Sequence, residues 1–155
     1  MIHSLSNLTG LRSHVNILRV VTLSVYCVPC FSFGRRRHNG IPREGRCPIP
    51  FDGKGRVIAH AFFPIQNLPW RGRIHFDEDE YFTENGGYVG WFWSKTRTIG
   101  LLYTAVHEIG HSLGLMHSNV RGSVMWPLAR SGRPRMHQDD INGINALYGA
   151  VSAYG

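Results

Sequence analysis

The sequence predicts an α+β domain with a sheet, a central helix and a C-terminal helix. Apolar residues alternate in two short runs, Val57 to Phe63 and Ile74 to Phe76, and this alternation is typical of strands. The central helix is predicted near Ile99 to Leu113, where His107 and His111 are four residues apart and would share one helix face. A length of 155 residues with 43% hydrophobic content fits one globular domain.

The C-terminal helix is predicted near Asp139 to Tyr148. Asp139 or Asp140 is a natural N-cap, because a short acidic side chain accepts hydrogen bonds from free N–H groups of the first turn. This helix would close the domain at its C-terminal end.

The stretch HEIGHSLGLMH carries the strongest functional pattern in the chain. His107 and His111 can direct both imidazoles at one metal ion, and Gly114 permits the left-handed backbone that brings His117 to the same ion. Three histidines leave a fourth coordination position for water, as in a catalytic zinc site. Zinc lowers the pKa of bound water to about 7, and Glu108 is placed to act as the general base.

A shorter H-E-x-x-H would be weaker evidence, because it occurs by chance and single helical histidines are usually surface or core residues. The extension to Gly114 and His117 makes coincidence a poor explanation. Met125 follows in the run SVMWP, where metzincin proteases place a methionine turn beneath the zinc, although a methionine is by default core filler.

These motifs resemble those of the matrix metalloproteinases, a family of metzincin zinc endopeptidases. Ser118 follows the third histidine, as in this family, whereas astacins have Glu and adamalysins have Asp there. Three other blocks share the pattern: PFDGKGRVIAHAFFP at 50 to 64, RIHFDEDEYFT at 73 to 83 and HQDDINGINALYG at 137 to 149. The resemblance covers about residues 33 to 149.

The resemblance implies a metzincin catalytic domain with a twisted, mixed and mostly parallel sheet. It implies an extracellular endopeptidase, secreted or at the cell surface and monomeric, that hydrolyses extended peptide or protein substrates with Glu108 as catalytic base. The substrate would add itself to the edge of the strand Ile58 to Phe63. The implied substrate-pocket residues are Tyr103 at the floor, Met125, Pro127, Ala59 and Ala61.

A second, structural zinc site is implied by His60 and His75. A lone strand histidine is more often merely exposed, but both positions match the family's structural zinc ligands. The family's other two ligands form an H-x-D element, and here His38 begins HNG, so that Gly40 occupies the aspartate position. The sequence therefore does not identify the fourth ligand. Either the site binds zinc weakly, or Glu44 or Cys47 takes the place of the aspartate.

A calcium site is indicated by Asp52, Asp77 and Glu80, which the family uses as calcium ligands. Carboxylates beside a glycine-bearing loop, here DGKG, offer the hard oxygen atoms that Ca²⁺ prefers. The alternative is a solvated acidic turn. Residues 77 to 80 hold four of the ten carboxylates, and such a group repels itself unless a cation binds. The family's second calcium loop is replaced by QNLPWRGR, so a second calcium is not expected.

The net charge of +7 favours anionic partners such as sulfated glycans, lipid or nucleic acid. The arginines are scattered and no recognition helix accompanies them, so we expect no nucleic-acid binding, while membrane association stays open. Two rival readings are a catalytically impaired, metal-stabilised binding module and a basic membrane- or glycan-associated protein.

The N-terminal segment, residues 1–32, is atypical, and residues 33–150 and 151–155 are assigned as catalytic domain and tail. The apolar run Val20 to Phe33 is too short for an ordinary transmembrane helix. It fits a signal-peptide core, a substitute strand or a truncated or misjoined gene product. Cys27 and Cys30 form a C-x-x-C motif, which by itself cannot complete a four-cysteine zinc site.

Overall fold

The computed structural model describes residues 31–38, 47–65, 69–90 and 96–149. These ranges form two three-stranded sheets and two helices, which confirms the α+β class. Of the N-terminal segment 1–32, only the last two residues are described, and they belong to the first strand. The elements are β1 (Phe31–Gly34), β2 (Ala59–Ala61), β3 (Ile74–Asp77), β4 (Phe82–Thr83), β5 (Gly87–Val89), β6 (Thr96–Gly100), α1 (Leu101–Ser112) and α2 (Gln138–Tyr148).

Both sheets are mixed. In the first sheet β3 lies between β1, with which it is parallel, and β2, with which it is antiparallel. In the second sheet β6 is parallel to β4 and antiparallel to β5. The described pairs are thus half parallel rather than mostly parallel. Strands joined by a short connection, such as β5 and β6, return antiparallel because a parallel neighbour needs a longer crossover.

The strand β3 is buried along its whole length. Phe76 packs against the rings of β1, with its centroid 5.2 Å from that of Phe33 and 6.1 Å from that of Phe31. Because side chains alternate along a strand, His75 and Asp77 face the opposite side from Phe76. One central strand therefore serves an aromatic core on one face and polar groups on the other.

The helix boundaries differ slightly from the predicted ones. The helix α1 begins at Leu101 rather than Ile99, because Ile99 belongs to β6 and its N–H donates to the Tyr81 carbonyl at 2.8 Å. Leu113 is the C-cap of α1 rather than its last residue. None of the helices among the described residues combines the length and apolar character needed to cross a membrane.

The N-cap of α2 is His137, so the prediction that Asp139 or Asp140 caps this helix was wrong. The His137 Nδ1 atom accepts a hydrogen bond from the Asp139 N–H at 3.1 Å. In return the Asp140 carboxylate accepts from the His137 N–H at 2.8 Å. This reciprocal capping box places Asp140 three residues inside the helix, where it is also buried.

Candidate active site

The helix α1 and the turn that follows it bring three histidines together. His107 and His111 lie one helical turn apart, with ring centroids 4.8 Å apart. After the helix, Gly114 has a φ of +101°, a left-handed conformation that side-chain-bearing residues rarely adopt. The chain then returns so that the Nε2 atoms of His117 and His107 are 3.3 Å apart. One ligand atom from each histidine lies within 4.8 Å of the others.

Backbone carbonyls fix the orientation of the two helical rings. His107 Nδ1 donates to the Val124 carbonyl at 2.7 Å, and His111 Nδ1 donates to the Leu115 carbonyl at 2.7 Å. Since a carbonyl oxygen only accepts, each proton resides on Nδ1 and each Nε2 keeps a lone pair for a metal ion. Sequence reasoning did not find these two acceptors, because any residue can offer a backbone carbonyl.

Burial keeps these rings neutral. It lowers the pKa of His111 to about 4, against the opposing effect of the hydrogen bond to Leu115. Burial likewise lowers the pKa of His107. Neutral imidazole is the form that binds metal ions, so the environment favours ligation.

Glu108 lies beside this cluster with its side chain buried. Its Oε2 atom has no hydrogen-bond partner among the described residues. Burial raises the pKa of Glu108 to about 7, which is the range suited to exchanging a proton near neutral pH. The residue lines the same cavity as the three histidines.

That cavity is an open cleft of about 900 Å³. The three histidines and Glu108 line it, and so does the whole of β2, which contributes Ala59, His60 and Ala61. Tyr103 and Pro127 also line the cleft, and the Tyr103 hydroxyl donates to the Ser123 carbonyl at 3.4 Å.

Met125, also expected in the substrate pocket, is absent from the lining of the cleft. It is 3% exposed and packs under α1, where a side chain on Gly110 would overlap its Sδ atom. Because Gly110 has no side chain, Met125 packs closely against α1, the helix that carries His107 and His111. Met125 therefore contributes to the packing of this helix and does not line the cleft.

Asp140 anchors the turn that holds His107. Its buried carboxylate accepts from the Ser123 hydroxyl, from the Val124 N–H at 2.9 Å and from the Met125 N–H at 3.2 Å. The carbonyl of the same Val124 accepts from His107. The sequence offered Asp140 only as a helix cap, and this link to the histidine was missed.

A second cluster includes one histidine from β2 and one from β3. His38 Nε2 is 2.9 Å from His75 Nδ1, which is 3.2 Å from His60 Nε2. Cys47 Sγ is 3.3 Å from the same His60 atom, and all four ligand atoms lie within 4.8 Å of one another. Burial lowers the pKa of His60 to about 3 and that of His75 to about 4, and the neighbouring histidines and Arg73 add to the effect. Glu44, the other candidate for the fourth position, lies outside the described residues.

The three expected calcium ligands surround one loop. Asp52 accepts from the Val57 N–H at 3.4 Å, and Glu80 accepts from the Gly55 N–H. Asp77 is fully buried, and its Oδ2 atom has no hydrogen-bond partner among the described residues. Among the residues that the structure describes, potential ligand atoms come close together in the two histidine clusters. The three carboxylates do not form a third such group.

The sequence model of the peptidase M10 family, described as Matrixin, matches residues 31–149. The chain belongs to the matrixin family. The chain is 47% identical to human matrilysin over 106 residues, 66% of this chain and 36% of that protein. It is 44% identical to human matrix metalloproteinase-19 over 108 residues, 68% of this chain and 18% of that protein. This matrixin thus spans 18% to 36% of the length of these relatives, and its homology supports the metalloendopeptidase class and zinc binding.

Proposed function

We propose that this matrixin is a zinc-dependent endopeptidase that cleaves extended peptide segments of extracellular proteins. The observation that carries the proposal is the convergence of three histidine nitrogens beside a buried, unpartnered glutamate in an open cleft. The names of the relatives, which include matrix metalloproteinases, support an extracellular location.

The donor set fits zinc. His107, His111 and His117 offer imidazole nitrogens, which zinc accepts at catalytic sites with a fourth position open. His117 is exposed, so the metal position faces the solvent side of the cleft. Zinc bound there would supply Lewis acidity toward a peptide carbonyl and toward water.

Glu108 provides the proton transfers. Its carboxylate takes a proton from the water molecule that attacks the carbonyl carbon, and it then returns this proton to the amine that leaves. Burial holds the carboxyl group ready for both steps, because its raised pKa allows it to accept and release a proton near neutral pH.

The strand β2 is the proposed docking edge for the substrate. It pairs with β3 on one side, and Ala59 and Ala61 line the cleft. A peptide in extended conformation can add itself beside such an edge through main-chain hydrogen bonds. Tyr103 limits the pocket for the side chain that follows the scissile bond, so we propose a preference for leucine, isoleucine or methionine.

The test is Glu108→Gln, with Glu84→Gln as a control at an exposed position. The first substitution should retain zinc, because the histidines are unchanged, and should lower peptide hydrolysis by roughly 10² to 10⁴-fold. Zinc content and turnover of a fluorogenic peptide are measured on both variants. Full activity in Glu108→Gln would refute the mechanism. A zinc-loaded parent that hydrolyses no peptide would refute the proposed function in favour of a metal-stabilised binding module.

We also propose a calcium ion at Asp52, Asp77 and Glu80. The unpartnered Oδ2 atom of buried Asp77 supports it, because a buried carboxylate oxygen without a hydrogen bond is costly unless a cation balances it. Glycine-bearing loop carbonyls next to Asp52 would supply further oxygen ligands.

A further inference from the structure

We propose that Cys47 is the fourth ligand of the second metal cluster, which makes it a zinc site of three imidazoles and one thiolate. The resemblance to the family implies an aspartate as this ligand, but the chain has Gly40 at the aspartate position. The proposal is independent of the proposed proteolytic function, because no residue of this cluster takes part in the steps assigned to Glu108.

The geometry of the cluster is that of a closed site. Cys47 Sγ and His60 Nε2 are 3.3 Å apart. The His75 Nδ1 atom lies between the other two histidine nitrogens, 2.9 Å from His38 Nε2 and 3.2 Å from His60 Nε2. His38, His75 and Cys47 are buried, with exposed fractions of 6%, 1% and 7%. A four-ligand, buried set is the arrangement of a structural zinc rather than a catalytic one.

Three ring nitrogens of the cluster crowd around one another more closely than a single hydrogen bond requires. His38 Nδ1 donates to the Arg36 carbonyl at 3.0 Å, so its Nε2 has a lone pair and faces His75 Nδ1. That nitrogen also faces His60 Nε2, and one N–H cannot serve both neighbours well. A zinc ion would accept a lone pair from each of these nitrogens at once, which accounts for their close approach around one point.

The backbone holds Cys47 in this position. Its N–H donates to the His38 carbonyl at 3.1 Å, and the N–H of Phe51 donates to the Arg36 carbonyl at 2.8 Å. The Phe51 ring stacks on His38 with centroids 4.5 Å apart. These contacts fix both ends of the segment, so the thiol is directed at the histidines rather than at solvent.

The rival interpretation is an inert buried thiol. Cys47 Sγ lies 3.4 Å from the Ile49 carbonyl, to which a thiol can donate weakly. The two interpretations differ in spectroscopy, because a thiolate bound to Co²⁺ gives a charge-transfer band in the near ultraviolet and a free thiol does not.

The first experiment replaces zinc by cobalt in the full chain. The parent should bind about two metal ions, one for each cluster, and show the thiolate band. Cys27→Ser with Cys30→Ser is the control, and this double variant should keep both the band and the metal count. A parent that binds cobalt without the thiolate band would overturn the proposal.

Two substitutions at Cys47 separate ligation from folding. Cys47→Asp should keep about two metal ions but lose the band, because a carboxylate can also ligate zinc. Cys47→Ala should lose about one ion. If Cys47→Asp retains the band, Cys47 is not the sulfur ligand.

Alkylation of the unmodified chain provides a measurement that needs no variant. Peptide mass spectrometry follows the reaction of Cys47 with iodoacetamide in the presence of zinc and after chelation. A zinc-bound thiolate should react at least several-fold more slowly than the released one. If the zinc-loaded sample holds two ions and its Cys47 reacts as fast as in the chelated sample, the thiol is only buried and is not a ligand.

Discussion

A single buried carboxylate, that of Asp140, connects the second helix to the first metal ligand. It holds the N–H groups of Val124 and Met125, and the Val124 carbonyl holds the His107 ring. An oriented histidine loses less conformational freedom when it binds a metal ion. The Asp140 carboxylate, which reaches the His107 ring through two successive hydrogen bonds, therefore contributes to metal affinity.

Asp140→Asn should therefore weaken zinc binding as well as folding. The amide can accept fewer hydrogen bonds and presents an N–H toward other donors, which costs about 1 to 3 kcal/mol of unfolding free energy. Loss of ring orientation should weaken zinc binding by roughly 10- to 100-fold. Denaturant unfolding and zinc competition with a chelator measure the two effects.

Asp139→Asn is the matched control, because Asp139 is only half-buried and accepts from the Ser118 hydroxyl at 2.5 Å without contacting the turn at 123–125. Its zinc affinity should stay within about threefold of the parent. Equal loss of affinity in both variants would mean that the link through Val124 has no special role.

Tyr103 gives a second prediction at the scale of one side chain. Tyr103→Ala should deepen the pocket and admit a long, biphenyl-bearing hydroxamate, while Tyr103→Phe, which keeps the ring, should not. Each methylene that fits an apolar pocket is worth roughly 1 to 3 kcal/mol. Inhibition constants for a short and a long hydroxamate decide the matter, and tight binding of the long one to the parent would show that Tyr103 is not the floor.

The grouping of His107, Glu108 and His111 was predictable from helical spacing, and that of His117 from the glycine that lets the chain turn back after the helix. The role of Cys47 was not, because its sequence distance from His60 and His75 carries no information about contact. It remained one of two candidates until the fold placed its sulfur beside the three rings. The carbonyl partners of His107 and His111 leave no trace in side-chain identity at all.

Among the elements, the turn after α1 depends on one residue with a left-handed backbone conformation. Gly114 has a φ of +101°, and its Cβ position would meet only ordinary contacts, the nearest being Leu147 at 3.4 Å. Conformational strain rather than crowding is therefore what requires glycine here.

Gly114→Ala should lower the unfolding free energy by about 1 to 3 kcal/mol and weaken zinc binding, because relaxation of the turn moves His117. Gly132→Ala is the control: Gly132 has a φ of +94° with open space around it, and it lies away from the histidines in the chain. It should lose similar stability but keep its zinc affinity. Unchanged zinc affinity in Gly114→Ala would contradict the proposed role of the turn.

The elements themselves were largely predictable from alternation and spacing. Errors occurred at their ends, where long-range contacts decide. Ile99 was assigned to the helix although its pairing with Phe82 makes it the fourth residue of β6. His137 was overlooked as a cap because its imidazole nitrogen does the work usually done by an acidic or hydroxyl side chain.

At the scale of the whole molecule, the proposed calcium site should contribute to stability. Asp77→Asn combined with Glu80→Gln should abolish the increase in Tm that added calcium gives the parent, because a ligand that binds only the folded state stabilises it by mass action. Thermal unfolding with and without calcium measures this increase.

The control is Glu78→Gln with Asp79→Asn, which changes the same charge in the same acidic run. Glu78 and Asp79 lie near Arg35, at 3.6 and 3.4 Å, and not at the proposed ion. This variant should keep the calcium response. If all three proteins respond alike to calcium, the acidic run is only a solvated turn.

The class and the mixed sheets followed from the sequence, but the balance of strand directions did not. Direction depends on how the chain travels between strands, and alternation within a strand does not encode that path. The two metal clusters illustrate the same limit, because one is built from a single helix and its turn, and the other from four separate segments around β2 and β3.

The three-residue strand β2 serves two sites at once. The Nε2 atom of His60 lies in the second metal cluster, while Ala59, Ala61 and part of His60 line the cleft. Because side chains on a strand alternate between its faces, inserting or deleting one residue within β2 would present alanine to the metal ligands and imidazole to the substrate. A one-codon insertion or deletion in this strand is therefore more damaging than most substitutions, since it removes a metal ligand and reshapes the docking edge in one event.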